Sequence, residues 1–177
     1  MTVYSSLLGF PQPVRPAIFI SYHHHGDQAW YDHFSATFHD TYKVIRDTSL
    51  EREVDSDDAE TVMRNIRENC ITGSSCTIVL VGRDTWGRRY VDWEIAATLD
   101  KQHSLIAISL PAASAFPDRL WDNVLSGYAL WKTWHQITAD PDQLRQCIAE
   151  ADLRRRIYPS NNNRPRRLKS ATLYPAA

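Results

Sequence analysis

One carboxylate in this sequence is set apart by its neighbours. In RRYVDWEIAATL (88–99), Glu94 lies between Trp93 and Ile95, in the opening turns of a segment with helical periodicity. At roughly 100° per residue, Val91, Ile95, Thr98 and Leu99 form an inward stripe, and Glu94 falls about 60° to one side of it, alongside Tyr90. A carboxylate on that shoulder can look into a cleft and meet positive charge there. It can equally be a first-turn acid that favours the helix dipole, and position alone leaves both readings open.

Other polar groups are less specific. YHHHGDQ (22–28) clusters His23, His24 and His25, but consecutive histidines cannot all face one ion on a regular element. The remaining histidines, His33, His39, His103 and His135, stand at no fixed ligand spacing from them, so no metal is expected. The loop fits better as a polar wall of a ligand pocket, with Ser21 and Tyr22 supplying a hydroxyl and a stacking ring. GRDTWG (82–87) lacks the GK[ST] ending of a phosphate loop and the GxGxxG of a dinucleotide fold, and its glycines are expected to let the chain turn. Arg83, Thr85, Arg88 and Arg89 are then either phosphate contacts or solvated surface. In RDTSLERE (46–53), Asp47 and Ser49 either line the same cleft or close a local turn. No Ser-His-Asp or Cys-His nucleophile set stands out, and burial of Cys76 would make it a poor nucleophile.

The elements that must carry these groups alternate. AIFISY (17–22) is an apolar run of β-formers, followed by DQAWYDHFSATF with Trp30, Phe34 and Phe38 at helical spacing. YKVIRD (42–47) is a strand candidate, and SDDAETVMRNIREN opens with Asp57 and Glu60 spaced as a capping pair ahead of an apolar face. CTIVLVG (76–82) and SLIAISL (104–110) are too uniformly apolar for strands with one wet face, which predicts a parallel sheet covered on both sides. DRLWDNVL predicts a short helix, YALWKTW (128–134) a fifth strand, and DPDQLRQCIAEADLRRR a last helix with Asp140 as cap and Pro141 at its first position. Repeated βα units of this length predict an α/β, flavodoxin-like open sheet of five parallel strands in the order 2-1-3-4-5, with helices on both faces. Ligands in such sheets collect at the carboxyl ends of the strands where the order reverses, beside the loops 23–26 and 83–89.

With 177 residues, 43% of them hydrophobic, the chain is long enough for one domain with a sizeable core. The expected organisation is an arm at 1–16 containing Pro11, Pro13 and Pro16, a domain at 17–157, and a basic polar tail at 158–177. A net charge of -1 supplies no global field to draw nucleic acid or an anionic membrane. LRRRIYPSNNNRPRRLK holds seven of the twenty Lys and Arg residues, yet Tyr158 alone interleaves as an aromatic, so a solvated tail is expected over a nucleic-acid arm. Cys70, Cys76 and Cys147 are odd in number with no CxxC spacing, which fits a reducing compartment. With no signal-peptide pattern and no bilayer-length apolar run, a soluble, cytoplasmic protein without a membrane partner is expected.

Taken together, AIFISYHHHGDQAWYDHF, RDTSLE and NIRENCITGSSCTIVLVGRDTWGRRYVDWEIAATL resemble the TIR-like domains of bacterial anti-phage proteins, most closely those of the Thoeris defence system. The resemblance covers about 17–111, and the pairing of FISYHH with TIVLVG and YVDWEI is its most specific part. It implies a flavodoxin-like fold and an enzyme that consumes NAD as substrate with no further cofactor. Such an enzyme cleaves the bond between nicotinamide and ribose and passes on ADP-ribose, commonly as a cyclic isomer that activates a separate effector. The glutamate of the family's W-V-x-x-E pattern falls on Glu94, with Tyr90 where the tryptophan is common. The resemblance also implies that Phe19, Ser21, Tyr22 and His23 border the nicotinamide side and that Asp47 and Ser49 flank it. A phage-derived trigger and homo-oligomeric assembly on activation belong to the same expectation. The alternative is a TIR-like interaction module that recruits partners without turnover. A flavodoxin-like receiver or cofactor carrier is a weaker third reading, because His and Tyr follow the first strand instead of paired acids or a flavin phosphate loop.

Overall fold

A computed structural model of the chain describes residues 15–46, 61, 64–140 and 142–167. Its strands are β1 (Ala17–Ser21), β2 (Lys43–Arg46), β3 (Cys76–Val81), β4 (Ser104–Ser109) and β5 (Leu130–Thr133). All are parallel, in the order β2-β1-β3-β4-β5, as the βα alternation predicts.

Alternation along each strand divides the core. Ile18 and Ile20 of β1, Cys76, Ile78 and Leu80 of β3, and Ile106 and Ile108 of β4 point to one face. There they meet Tyr31, Phe34 and Phe38 of α1 (His24–Phe38), Trp134 and Ile137 of α4 (Trp134–Thr138), and Leu144, Cys147 and Ala151 of α5 (Gln143–Ile157). The other face carries Phe19, Val79, Val81, Leu105 and Ala107, covered by a π-helical segment (Ile66–Ile71), α2 (Arg89–Asp100) and α3 (Asp118–Leu125). Both faces are thus shielded from water, which is why β3 is buried along its whole length.

Several boundaries depart from the periodicity. The first helix starts at His24, ahead of the DQAWYDHFSATF segment, with no side-chain cap. The fifth strand ends at Thr133 because Thr133 and Gln136 form a reciprocal capping box that opens α4. Asp140 does not cap the last helix. Its carboxylate accepts Asp142 N–H at 2.9 Å, and α5 begins at Gln143 with Asp142 as its N-cap. The helix expected over 56–69 is described from Thr61 on, apart from 62–63, and winds as a π-helix over Ile66–Ile71; Asp57 and Glu60 lie outside the described residues.

The basic segment requires the largest correction. Residues 158–167 were expected as a solvated tail, whereas residues 161–167 lie along α2 and α3, with their polar groups bonded to both helices. The arm at 1–14 and the stretch after 167 lie outside the described residues.

Between β3 and α2, Thr77 Oγ1 and Thr98 Oγ1 are 2.8 Å apart, both fully buried, and Thr98 Oγ1 also donates to the Glu94 carbonyl at 2.8 Å. Thr77 must therefore be the donor of the pair. Replacing Thr98 by Val should leave the Thr77 hydroxyl buried without an acceptor and cost about 1–3 kcal/mol. Thr77→Val added to it should recover part of that loss, an ordering that chemical denaturation of the two single variants and the double variant can check.

Candidate functional site

Glu94 is 5% exposed and occupies the second turn of α2, where the helix crosses the carboxyl end of β1. Ser21, the last residue of that strand, donates its hydroxyl to Glu94 Oε2 at 2.5 Å. The contact exists because Ser21 shares a sheet face with Phe19, two residues before it, and that face meets α2. Phe19 is fully buried in a cluster with Ile66, Ile71, Trp93, Ala96 and Ala97, so it seats the helix. All residues from Val91 to Leu99 are buried, and the amphipathic stripe read from the sequence describes only one side of an enclosed helix.

The remaining expected site residues do not gather in one place. Tyr22 faces the opposite side of the sheet. Its ring is stacked between His24 at 4.2 Å and Tyr31 at 4.6 Å, and its hydroxyl donates to Gln28 at 2.9 Å. Tyr90, half-buried, shares a helix face with Glu94 and packs edge-on against Trp93 at 6.0 Å. The Arg89 guanidinium lies over both rings, 4.7 Å and 5.2 Å from their centroids, and donates to Tyr90 Oη at 2.7 Å. Arg83 and Arg88 are exposed. Asp47 and Ser49 lie outside the described residues.

Thr85 and His23 are held by a buried acid that periodicity could not single out. Asp27, on the first turn of α1, accepts the Thr85 hydroxyl at 2.9 Å, while Thr85 Oγ1 accepts Gly82 N–H at 2.8 Å. This stitches the loop after β3 to the start of α1 at the strand ends. It also explains Gly82, where a Cβ would collide with the Asp27 carboxylate, so glycine is required by close approach and not by a turn. Burial raises the Asp27 carboxyl above its ordinary value, with Asp84 adding a like charge and the Thr85 hydrogen bond opposing both.

His23 is 8% exposed, and its Nδ1 makes no hydrogen bond. Burial, aided by the Arg88 cation, lowers its pKa from 6.5 to about 4, so the imidazole is neutral at pH 7. Cys76 is an inert thiol, pushed up to about 12 by complete burial. Among the described residues no three His, Cys, Asp or Glu side chains are grouped to hold a metal ion, and no helix is long and apolar enough to cross a membrane.

Two buried charges escaped sequence reading altogether. Asp92 receives Arg119 Nε at 2.9 Å and Nη2 at 3.3 Å, and the two residues are 4% and 1% exposed. They lie 27 positions apart on different helices. No spacing rule links such a pair.

The neutral state of His23 sets a pH window. Its folded pKa lies below the unfolded value, so the unfolded chain binds the extra proton as pH falls from 6.5 towards 4, and stability is lost over that interval. Asp27 works the other way, since a raised carboxyl pKa favours the folded state as pH falls. Comparison with His23→Gln isolates the imidazole. The parent should lose on the order of 2 kcal/mol more stability than the variant between pH 7 and pH 4, by denaturant titration.

Comparison with known proteins bears on this arrangement. The family described as Thoeris protein ThsB, TIR-like domain, matches residues 19–115, more than half of the chain. A chain of the activated Roq1 resistosome directly recognizing the pathogen effector XopQ (TIR domains) aligns with a TM-score of 0.40 and 11% identity, over 80% of this chain and 84% of that one. Curated protein sequences give no match. The matched span runs from Phe19 through the Ser21–Glu94 contact to Ala115, and the chain belongs to the Thoeris ThsB family through its TIR-like domain.

Proposed function

We propose that this protein is an NAD-consuming enzyme of anti-phage defence that breaks the nicotinamide–ribose bond and releases an ADP-ribose product, in cyclic form, as a signal to a separate effector. The single observation that carries the reading is the buried Glu94 carboxylate fixed by Ser21 at the carboxyl end of β1. Family membership supplies the context for it.

The chemistry suits such a group. Nicotinamide in NAD is cationic at its ring nitrogen, so it leaves with the bonding pair as a neutral molecule and needs no general acid. Positive charge then develops at the ribose, in the manner of an oxocarbenium-like transition state. A carboxylate beside it lowers the barrier most where water does not screen it, which a 5%-exposed position provides. Ser21 holds one carboxylate oxygen in place, so less reorganisation is needed as charge appears. For ring closure a hydroxyl or ring nitrogen of the same nucleotide bonds to the ribose carbon and gives up any proton it carried, and water must be kept out meanwhile. A phage-derived trigger and assembly of several copies would complete the site.

A non-catalytic interaction module is the second reading. The same Ser21 contact favours it, because an internally bonded carboxylate also serves simply to seat a helix.

Mass spectrometry of small molecules from phage-infected cells, with purified protein and NAD alongside, separates the two. Glu94→Gln should remove the ADP-ribose product at least about 100-fold. Ser21→Ala, which leaves the carboxylate in place but unfastened at one oxygen, should reduce turnover by about tenfold while the fold persists. Defence that persists in both parent and Glu94→Gln, with no NAD-derived product in either, would transfer the protein to the interaction reading.

A further inference from the structure

Residues 161–167 are bound to α2 and α3 by a dense set of hydrogen bonds. Asn161 and Asn123 pair reciprocally, Asn161 N–H donating to Asn123 Oδ1 at 2.9 Å and Asn123 Nδ2 to the Asn161 carbonyl at 2.8 Å. Asn162 accepts Arg119 Nη1 through Oδ1 at 2.6 Å and donates through Nδ2 to the Ala96 carbonyl at 3.1 Å and to Asp100 at 2.8 Å. Arg119 Nη2 reaches the Pro165 carbonyl at 3.2 Å. Arg167 N–H donates to Asp92 Oδ2 at 3.1 Å, and Trp93 Nε1 donates to the Arg167 carbonyl at 2.9 Å. Arg164 is ion-paired with Asp122, which fastens the middle of the segment to α3 and lowers the Asp122 carboxyl below its ordinary value.

Asp92, Trp93 and Ala96 surround Glu94 in the sequence of α2. Asp92 and Glu94 are two residues apart, about 200° around the helix, so one meets Arg119 and the segment on the outer side while the other meets Ser21 on the sheet side. The roll of α2 about its axis is therefore fixed from both sides. A roll of about 10° would carry a side-chain tip 5–6 Å from the axis through about 1 Å. A misplacement of that size is enough to cost a catalytic group up to about 100-fold.

We propose that residues 161–167 form a strap that positions Glu94 for turnover, with Arg119 and Asp92 as positioning residues that transmit its grip to α2. The proposal rests on the enzymatic reading of Glu94. Arg119 serves as the hub because its planar fork divides five donors between a carboxylate on α2 and three acceptors on the strap, Asn162 Oδ1 and the Asn162 and Pro165 carbonyls, which a lysine could not do. The asparagine run thus has a mechanical role, since short amides can donate and accept at once along a helix surface.

Variants of the full chain test it. Arg119→Met would strand a buried Asp92 and could prevent folding, so the informative change is Asn162→Ala at the partly exposed strap. Arg156→Ala, on the last turn of α5 where it pairs with Asp152 away from the strap, is the control. Three quantities are read in each: kcat and KM for nicotinamide release from NAD, under the condition that activates the parent, and the exchange rate of the Trp93 indole proton by NMR. Asn162→Ala should lower kcat about tenfold with KM within twofold of the parent, and should speed Trp93 indole exchange at least fivefold. Arg156→Ala should change kcat by less than twofold. A parental kcat in Asn162→Ala despite faster indole exchange overturns the strap's role, as does a lowered kcat with unchanged exchange. A parent that itself releases no nicotinamide removes the enzymatic reading and the strap's role in turnover together, whereas an active parent matched by Asn162→Ala removes the strap alone.

Discussion

The architecture around Glu94 depends on one constraint: α2 is buried all round from Val91 to Leu99 yet carries two carboxylates within three residues of that stretch. An enclosed helix is ordinarily apolar all round. Here Val91 to Leu99 are all buried, and Asp92 and Glu94 lie among them. Removing charge from water without compensation costs several kcal/mol per ion, so each carboxylate dictates what must approach it. Asp92 requires Arg119, which in turn needs further acceptors and draws in Asn162 and Pro165. Glu94 brings the helix onto the end of β1 through Ser21. The docking of residues 161–167 and the orientation of α2 between α3 and the sheet follow from satisfying these two groups.

The sheet contributes by parity. Because side chains alternate, Phe19 and Ser21 reach α2 while Ile18, Ile20 and Tyr22 are committed to the opposite face. A slip of one residue would offer Tyr22 to Glu94 and leave Ser21 among apolar rings. Register is held by pairing on both sides of β1, Ile18 opposite Val44 of β2 and Cys76 of β3, so the position of one hydroxyl is set by the two neighbouring strands. The loops at these strand ends are locked by a third buried acid, Asp27, through Thr85 and Gly82.

Legibility in the sequence followed the range of the interaction. Strands β1, β3 and β4 were readable because burial on both faces writes continuous apolar runs, and their βα alternation was enough for the sheet order. Glu94 was readable as a carboxylate on the shoulder of a helix, though not as a bonded partner of Ser21, since the two are 73 positions apart. At the end of the first strand Tyr22 reads as a stacking ring for a ligand pocket. Its actual stacking partners, His24 and Tyr31, depend on how α1 returns over the sheet. The basic segment misled most. Arginines and asparagines read as solvated, and only the carboxylates and carbonyls that α2 and α3 present to them make them part of the fold.

Asp92 and Glu94 show how one helix can satisfy two buried carboxylates from opposite sides. A buried Asp–Arg pair adds little net stability over an apolar substitute, yet losing one partner costs about 3–5 kcal/mol. That is a large share of the 5–15 kcal/mol roughly available to a domain of this size. What such a pair offers is direction, because the fork of Arg119 donates to Asp92 in one orientation and so fixes the rotation of α2. Apolar contacts around Trp93 and Ala97 hold the helix at its depth without specifying that rotation closely. Rotation is the coordinate on which the approach of Glu94 to the end of β1 depends. The ion pair on the outer side of α2 is therefore the part of the structure that makes the position of the carboxylate on its inner side definite.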